Sequence, residues 1–154
     1  MGSVPEDLDL EVEPFMVNPL VIIAPPNHPL VNENNIPLNK LKDDTLLMRE
    51  VGSGTRIAME QFFLEKKNFK LISSIEMNSN ETIKQSVEAG LGLGIVSLHT
   101  IELEKEVGRL KVLDVEDFPI IHHWNIVHHK GKRLSTMAES FKQFILANKQ
   151  ILTN

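Results

Sequence analysis

Between Thr45 and Ser97 the chain alternates short apolar runs with stretches whose apolar residues recur every three or four positions, and this alternation admits few architectures. Thr45–Met48 reads as a short buried strand stopped by Gly52 and Gly54. From Thr55 to Lys67, the residues Ala58, Met59, Phe62 and Phe63 share one helical face while Arg56, Glu60 and Lys67 take other angles. Leu71–Met77 is the next strand. Ile83, Val87 and Leu91 then lie one turn apart, Gly90 suits the left-handed residue that ends a helix, and Leu93–Ser97 is again a strand. Strands alternating with helices predict an α/β fold with a mainly parallel sheet and right-handed crossovers.

The flanks carry weaker signals. Leu8, Leu10 and Val12 alternate with Asp9, Glu11 and Glu13, the period of a strand with one buried face. Leu20–Ala24 is a separate apolar run ended by Pro25 and Pro26, followed by turn-rich chain to Pro37 and one helical turn over Leu38–Lys42. His99–Glu106 reads as helical, Leu110–Val115 and Ile120–Val127 as strands, and Gly131 as a turn. Met137, Ala138, Phe141, Phe144 and Ile145 make an apolar stripe on a final helix that starts at Ser135.

Composition excludes several function classes. No run approaches the roughly 18 apolar residues of a membrane-spanning helix, and residues 1–9 lack the basic start and apolar stretch of a secretory signal. Zero cysteines remove disulfides, thiolate nucleophiles and zinc–cysteine sites, and fit a reducing compartment, with the cytosol as default. Sixteen basic against twenty-one acidic residues give a net charge of −5, which opposes contact with a phosphate backbone. The densest basic cluster, Lys130, Lys132 and Arg133, reads as a solvated loop, so the chain alone is expected to bind DNA poorly.

In α/β sheets ligands sit where the carboxyl ends of strands meet helix starts, which narrows the search. The loop Arg49–Arg56 joins a strand to a helix and gathers Ser53, Gly54, Thr55 and Arg56 around unpaired backbone amides, an anion site by helix-start chemistry. A plainer reading stands beside it: Ser53 or Thr55 caps the helix, and Arg56 pairs with a surface acid such as Glu60. Asn78, Ser79 and Asn80 occupy the equivalent place in the next unit, where they equally supply ordinary capping. Ser97 ends a strand and faces the same direction of approach. The loop matches neither a Walker loop nor a dinucleotide fingerprint, and Gly90, Gly92 and Gly94 lie in the reverse order, helix before strand. His122 and His128, like His123 and His129, lie roughly 20 Å apart along a strand at ~3.3 Å per residue, so no shared metal ion is expected. Ser53 and Ser79 have no base signalled near them, and Glu76 and Glu81 straddle an element boundary, so no catalysis is expected either.

Four segments together carry a family resemblance: PLVIIAPPNHPL at 19–30, REVGSGTR at 49–56, SNETIKQSVEAGLG at 79–92 and GRLKVLDVEDFP at 108–119. They resemble the effector-binding domains of LysR-type transcriptional regulators, over nearly the whole chain. The ending, Trp124 through His128–Ser135 and then an amphipathic helix, resembles the branch that controls carbon fixation and inorganic-carbon uptake. The resemblance implies two Rossmann-like lobes of the type II periplasmic-binding-protein kind, joined by two crossing strands that residues 15–24 and 120–128 resemble. Residues 23–120 would then form the second lobe, and 1–22 with 121–154 the crossing strands and part of a first lobe that is incomplete in this chain. It further implies ligand contacts at Ser53, Gly54, Thr55, Arg56, Ser79, Asn80 and Ser97. The implied ligand is a small anionic effector such as 2-phosphoglycolate, ribulose bisphosphate or 2-oxoglutarate, with no cofactor and no metal. Homo-oligomers, DNA contact only through a helix-turn-helix domain outside this chain, no membrane, and a cytoplasmic or plastid-stroma location complete the expectation. A transporter's solute-binding protein and an enzyme such as prephenate dehydratase use the same scaffold. The absent signal peptide disfavours the first, and zero cysteines disfavour a tetrapyrrole synthase.

Overall fold

The run Leu20–Ala24 is buried at every position because two layers close on it. The computed structural model describes residues 9–66 and 73–148. Among these, the strands and α-helices are β1 (Leu10–Ala24), β2 (Thr45–Arg49), α1 (Gly54–Glu65), β3 (Ser73–Met77), α2 (Asn80–Glu88), β4 (Leu93–Ser97), α3 (Glu102–Glu106), β5 (Lys111–Val112), β6 (Ile120–His129) and α4 (Thr136–Ala147). Leu8, Lys67, Leu71 and Ile72, used above to read strands and a helix end, lie outside the described residues.

The sheet order is β3-β2-β4-β1-β5, with β6 beside β1. β2 runs parallel to β3 and to β4, as the alternating helices require. The rest corrects the mainly parallel expectation: β1 is antiparallel to β4, β5 and β6. The helical crossovers that enforce parallel pairing occur only between Thr45 and Ser97, and apolar runs outside that stretch carry no information on direction.

A second correction concerns β1. The two expected strands are one strand of 15 residues, with a register shift between Pro14 and Met16. Pro14 and Pro19 interrupt the apolar pattern but keep the extended backbone that proline favours, so the strand passes through both. Its longer first part, residues 10–20, pairs with β6, and its last residues enter the main sheet between β4 and β5.

Alternation then sorts side chains onto two faces. Leu20, Ile22, Leu46, Met48, Leu93 and Ile95 meet Ala58 and Met59 of α1 on one side. Val21, Ile23, Leu47 and Val96 meet Ile83 and Val87 of α2 on the other. Each fully buried aliphatic side chain contributes about 1.5–3 kcal/mol. Gly94 lies under α2, where an added Cβ would stand 2.7 Å from an Ile83 methyl, so the glycine sets how closely α2 sits.

Three smaller expectations change. Leu91 lies beyond the end of α2 and is exposed, because Gly90, at φ 80°, has already turned the chain. The expected strand Leu110–Val115 pairs only at Lys111–Val112, with Val115 bridging Ile36. The stripe on α4 faces outward, with Met137 83%, Phe141 64% and Phe144 64% exposed.

Candidate ligand-binding cavity

Because β2, β3 and β4 are parallel, their carboxyl ends lie on one edge, and the turns that follow them meet there. A cavity of about 250 Å³ opens at that edge, lined by Asn18, Arg49, Ser53, Gly54, Thr55, Asn80, Ser97, His122 and Trp124. Five of the seven residues expected from sequence therefore share one cavity: Ser53, Gly54, Thr55, Asn80 and Ser97. The other two, Arg56 and Ser79, do not line it.

Ser79 plays the plain capping role. Its hydroxyl accepts a hydrogen bond from the Thr82 amide at 3.1 Å and starts α2, which points Asn80 at the cavity. Ser53, at the start of α1, makes no such side-chain cap. Its hydroxyl is thus not committed to the helix it precedes. Arg56 also takes the plain role: Nε donates to Glu60 Oε1 at 2.5 Å, and Nη1 donates to the Arg49 carbonyl at 3.3 Å.

Arg49 ties the two turns together. Nε and Nη2 donate to the two carboxylate oxygens of Glu50 at 2.7 and 2.8 Å, and Nη1 donates to Asn80 Oδ1 at 3.0 Å. This fork is the bidentate geometry that suits guanidinium to carboxylate. The bond from Arg49 pulls the Glu50 carboxyl down to about 2, and Glu50 in turn raises the Arg49 guanidinium above its ordinary value.

Asn18, His122 and Trp124 line the cavity without having been expected there. In the β1–β4 ladder Leu20 pairs with Ser97, so Asn18, two residues earlier on the same face, stands just past the carboxyl end of β4. Asn18 is 3% and Ser97 2% exposed, and Ser97 Oγ donates to Asn18 Oδ1 at 2.5 Å. The available signal was an asparagine at a position where Met16, Leu20 and Ile22 define a core face. His122 and Trp124 arrive with β6, through the pairs Asn18–His122 and Met16–Trp124. His99 contacts the Trp124 ring at 6.0 Å between centroids and approaches the Val17 carbonyl oxygen at 3.1 Å.

Lys84 is buried on α2 and donates to Glu104, to Glu81 and to the Thr100 carbonyl. Burial alone would lower the Lys84 ammonium, but the bonds to Glu104 and Glu81 outweigh it and hold the group above its ordinary value. The four histidines of β6 are spread along the strand, and among the described residues no group of three or more His, Asp or Glu is placed to hold a metal. Among the same residues no helix is long and apolar enough to cross a membrane.

Residues 1–150 match the model of the LysR substrate binding domain. The chain is 52% identical over 147 residues to the RuBisCO operon transcriptional regulator of Allochromatium vinosum, covering 96% of this chain and 48% of that protein. It is 45% identical over 153 residues to the transcriptional activator CmpR of Synechocystis, covering 99% of this chain and 50% of that protein. The chain thus spans about half the length of the curated relatives it matches. Among solved structures, the regulatory domain of CcmR from Synechocystis, in complex with 2-PG, superposes with a TM-score of 0.88 at 37% identity, over 97% of this chain and 72% of that one. The relatives are transcriptional regulators, the fold is the mixed α/β fold of their regulatory domains, and the chain belongs to the LysR family, within its substrate-binding domain.

Proposed function

We propose that this chain is the effector-sensing part of a regulator of carbon-fixation or inorganic-carbon genes, and that it binds a small anionic metabolite in the cavity at the carboxyl edge of its parallel strands. One observation carries the reading: the turn at Gly54 and the turn at Asn80, separate in sequence, line the same open cavity together with Ser97. The start of α1 supplies backbone amides and about half a unit of positive charge there. Ser53, Gly54, Thr55, Asn80 and Ser97 contact the ligand, joined by Asn18, while Ser79 and Arg56 hold the helix starts.

2-Phosphoglycolate is the leading ligand, supported by the 2-PG complex of the CcmR domain; ribulose bisphosphate and 2-oxoglutarate carry the same anionic groups. Residues 23–120 form one lobe, and β1 with β6 are the crossing strands to another, to which α4 belongs. Ligand held between lobes favours a closed arrangement, and the lobe angle alters how paired effector domains present a helix-turn-helix domain to DNA. The protein acts as a homo-oligomer in the cytoplasm or the plastid stroma.

Calorimetric titration of the full-length regulator with 2-phosphoglycolate, ribulose bisphosphate and 2-oxoglutarate tests the proposal. Saturable binding of at least one is expected. Absence of heat with all three, at concentrations up to millimolar, rules it out.

A further inference from the structure

We infer that the anion in this cavity is read by two asparagine amides, Asn18 and Asn80, and not by the arginines beside it. The inference rests on the sensor reading above and specifies how the site recognises its ligand.

A carboxamide has one accepting end and one donating end. In both asparagines the protein has already engaged the accepting end: Ser97 Oγ donates to Asn18 Oδ1, and Arg49 Nη1 donates to Asn80 Oδ1. Each engagement leaves the NH₂ group as the end without a protein acceptor among the described residues, and both side chains line the cavity. Asn18 is 3% exposed and lines the cavity, so the acceptor for its amide comes from whatever occupies that cavity, water or ligand.

The cationic alternative is weakened by the geometry. Both oxygens of Glu50 are taken by the Arg49 fork, and Arg56 is held by Glu60 and the Arg49 carbonyl. Two guanidinium charges are thus matched by two carboxylates in direct contact. What remains for an anion includes two amides, the Ser53 and Thr55 hydroxyls and the start of α1, beside the rings of His122 and Trp124. The volume, about 250 Å³, equals roughly eight water molecules at about 30 Å³ each. It accommodates a carboxylate or phosphate on a chain of a few carbons. Arg49 is then a positioning residue acting through Asn80.

The test uses the full-length regulator, 2-phosphoglycolate as probe, and two readouts, calorimetric affinity and the melting temperature without ligand. Asn18→Asp and Asn80→Asp keep size and shape but replace the donor with a charged acceptor. Each is expected to weaken binding at least about tenfold. If Asn18→Asp lowers the unliganded melting temperature, Asn18→Ser, which shortens the donor without adding charge, is expected to show the same loss. Arg49→Lys keeps the charge but loses the fork, and it is expected to weaken binding in the wild-type background while adding nothing to Asn80→Ala. A purely structural role for Arg49 would weaken both backgrounds alike.

Wild-type affinity in folded Asn18→Asp or Asn18→Ser protein, or in Asn80→Asp protein, overturns the inference while leaving the sensor reading intact. Failure of the wild-type protein to bind 2-phosphoglycolate, ribulose bisphosphate or 2-oxoglutarate overturns both.

Discussion

Helices α2 and α4 start from the same chemistry and end in opposite surroundings. Each opens on a serine whose hydroxyl accepts a bond from the amide three residues on, Ser79 from Thr82 and Ser135 from Ala138. Each carries apolar residues at helical spacing. Yet α2 buries Ile83 and Val87 completely against β4 and β1, while α4 leaves Met137, Phe141 and Phe144 facing outward and reaches β1 through the Lys142–Glu13 ion pair at 3.0 Å. An apolar stripe therefore reports that a helix has a face to cover, and it does not report what covers it. The difference also separates a helix whose first residue lines the cavity from one whose apolar stripe is left facing outward.

The contrast breaks most readily at the core. Ile83→Ala is expected to cost about 2–5 kcal/mol in urea unfolding, because the methyls it removes pack on Gly94 and leave a void. Phe141→Ser on α4 is expected to change stability by less than about 0.5 kcal/mol in this chain. A core-sized loss for Phe141→Ser would mean that α4 is already packed.

Lys84→Met sharpens the comparison next, since α2 alone is clamped through a buried charge. Fully buried pairs cost about 3–5 kcal/mol when one partner is removed, but Glu81 is 70% exposed, so a loss of about 2 kcal/mol is expected by urea unfolding. The Lys84 ammonium, raised in the folded state, keeps its contribution below the ordinary lysine value and loses it only as pH rises through the elevated one. Glu104, lowered chiefly by its bond from Lys84, loses its part as pH falls. The clamp should therefore be intact across the neutral range.

The smallest effect is expected at the Arg49–Glu50 fork. Glu50 titrates at about 2, below its unfolded value of about 4.5, so its contribution is present above 4.5 and declines as pH falls toward 2. Glu50→Gln should flatten that part of a ligand-affinity profile. An unchanged acid limb in Glu50→Gln protein would show that the fork does not support the site.

Much of the cavity was legible because parallel βαβ units place their strand ends and helix starts by rule. Gly52 and Gly54 stop β2, Ser79 starts α2, and Ser97 closes β4; each is a local signal, and the parallel pairing brings them together. Of the remaining lining, Arg49 ends β2 beside the expected loop, whereas Asn18, His122 and Trp124 were not legible, because they reach the cavity through antiparallel register. Whether Leu20 pairs with Ser97, or Asn18 with His122, is decided by long-range pairing that no local pattern encodes. The plain readings of Arg56 and Ser79 prevailed for a related reason. Glu60 and Thr82 lie within one helical turn of them, and such local partners are engaged whatever the rest of the fold does.

A crystal structure of the regulator with 2-phosphoglycolate most directly addresses the claim that two helix-start turns and two asparagines hold one anion. The expected result is ligand oxygen within about 3.2 Å of Asn18 Nδ2 and Asn80 Nδ2, beside the Thr55 amide. Ligand seated elsewhere, for example along Lys130–Arg133, with the Gly54–Asn80 cavity holding only water, would contradict it.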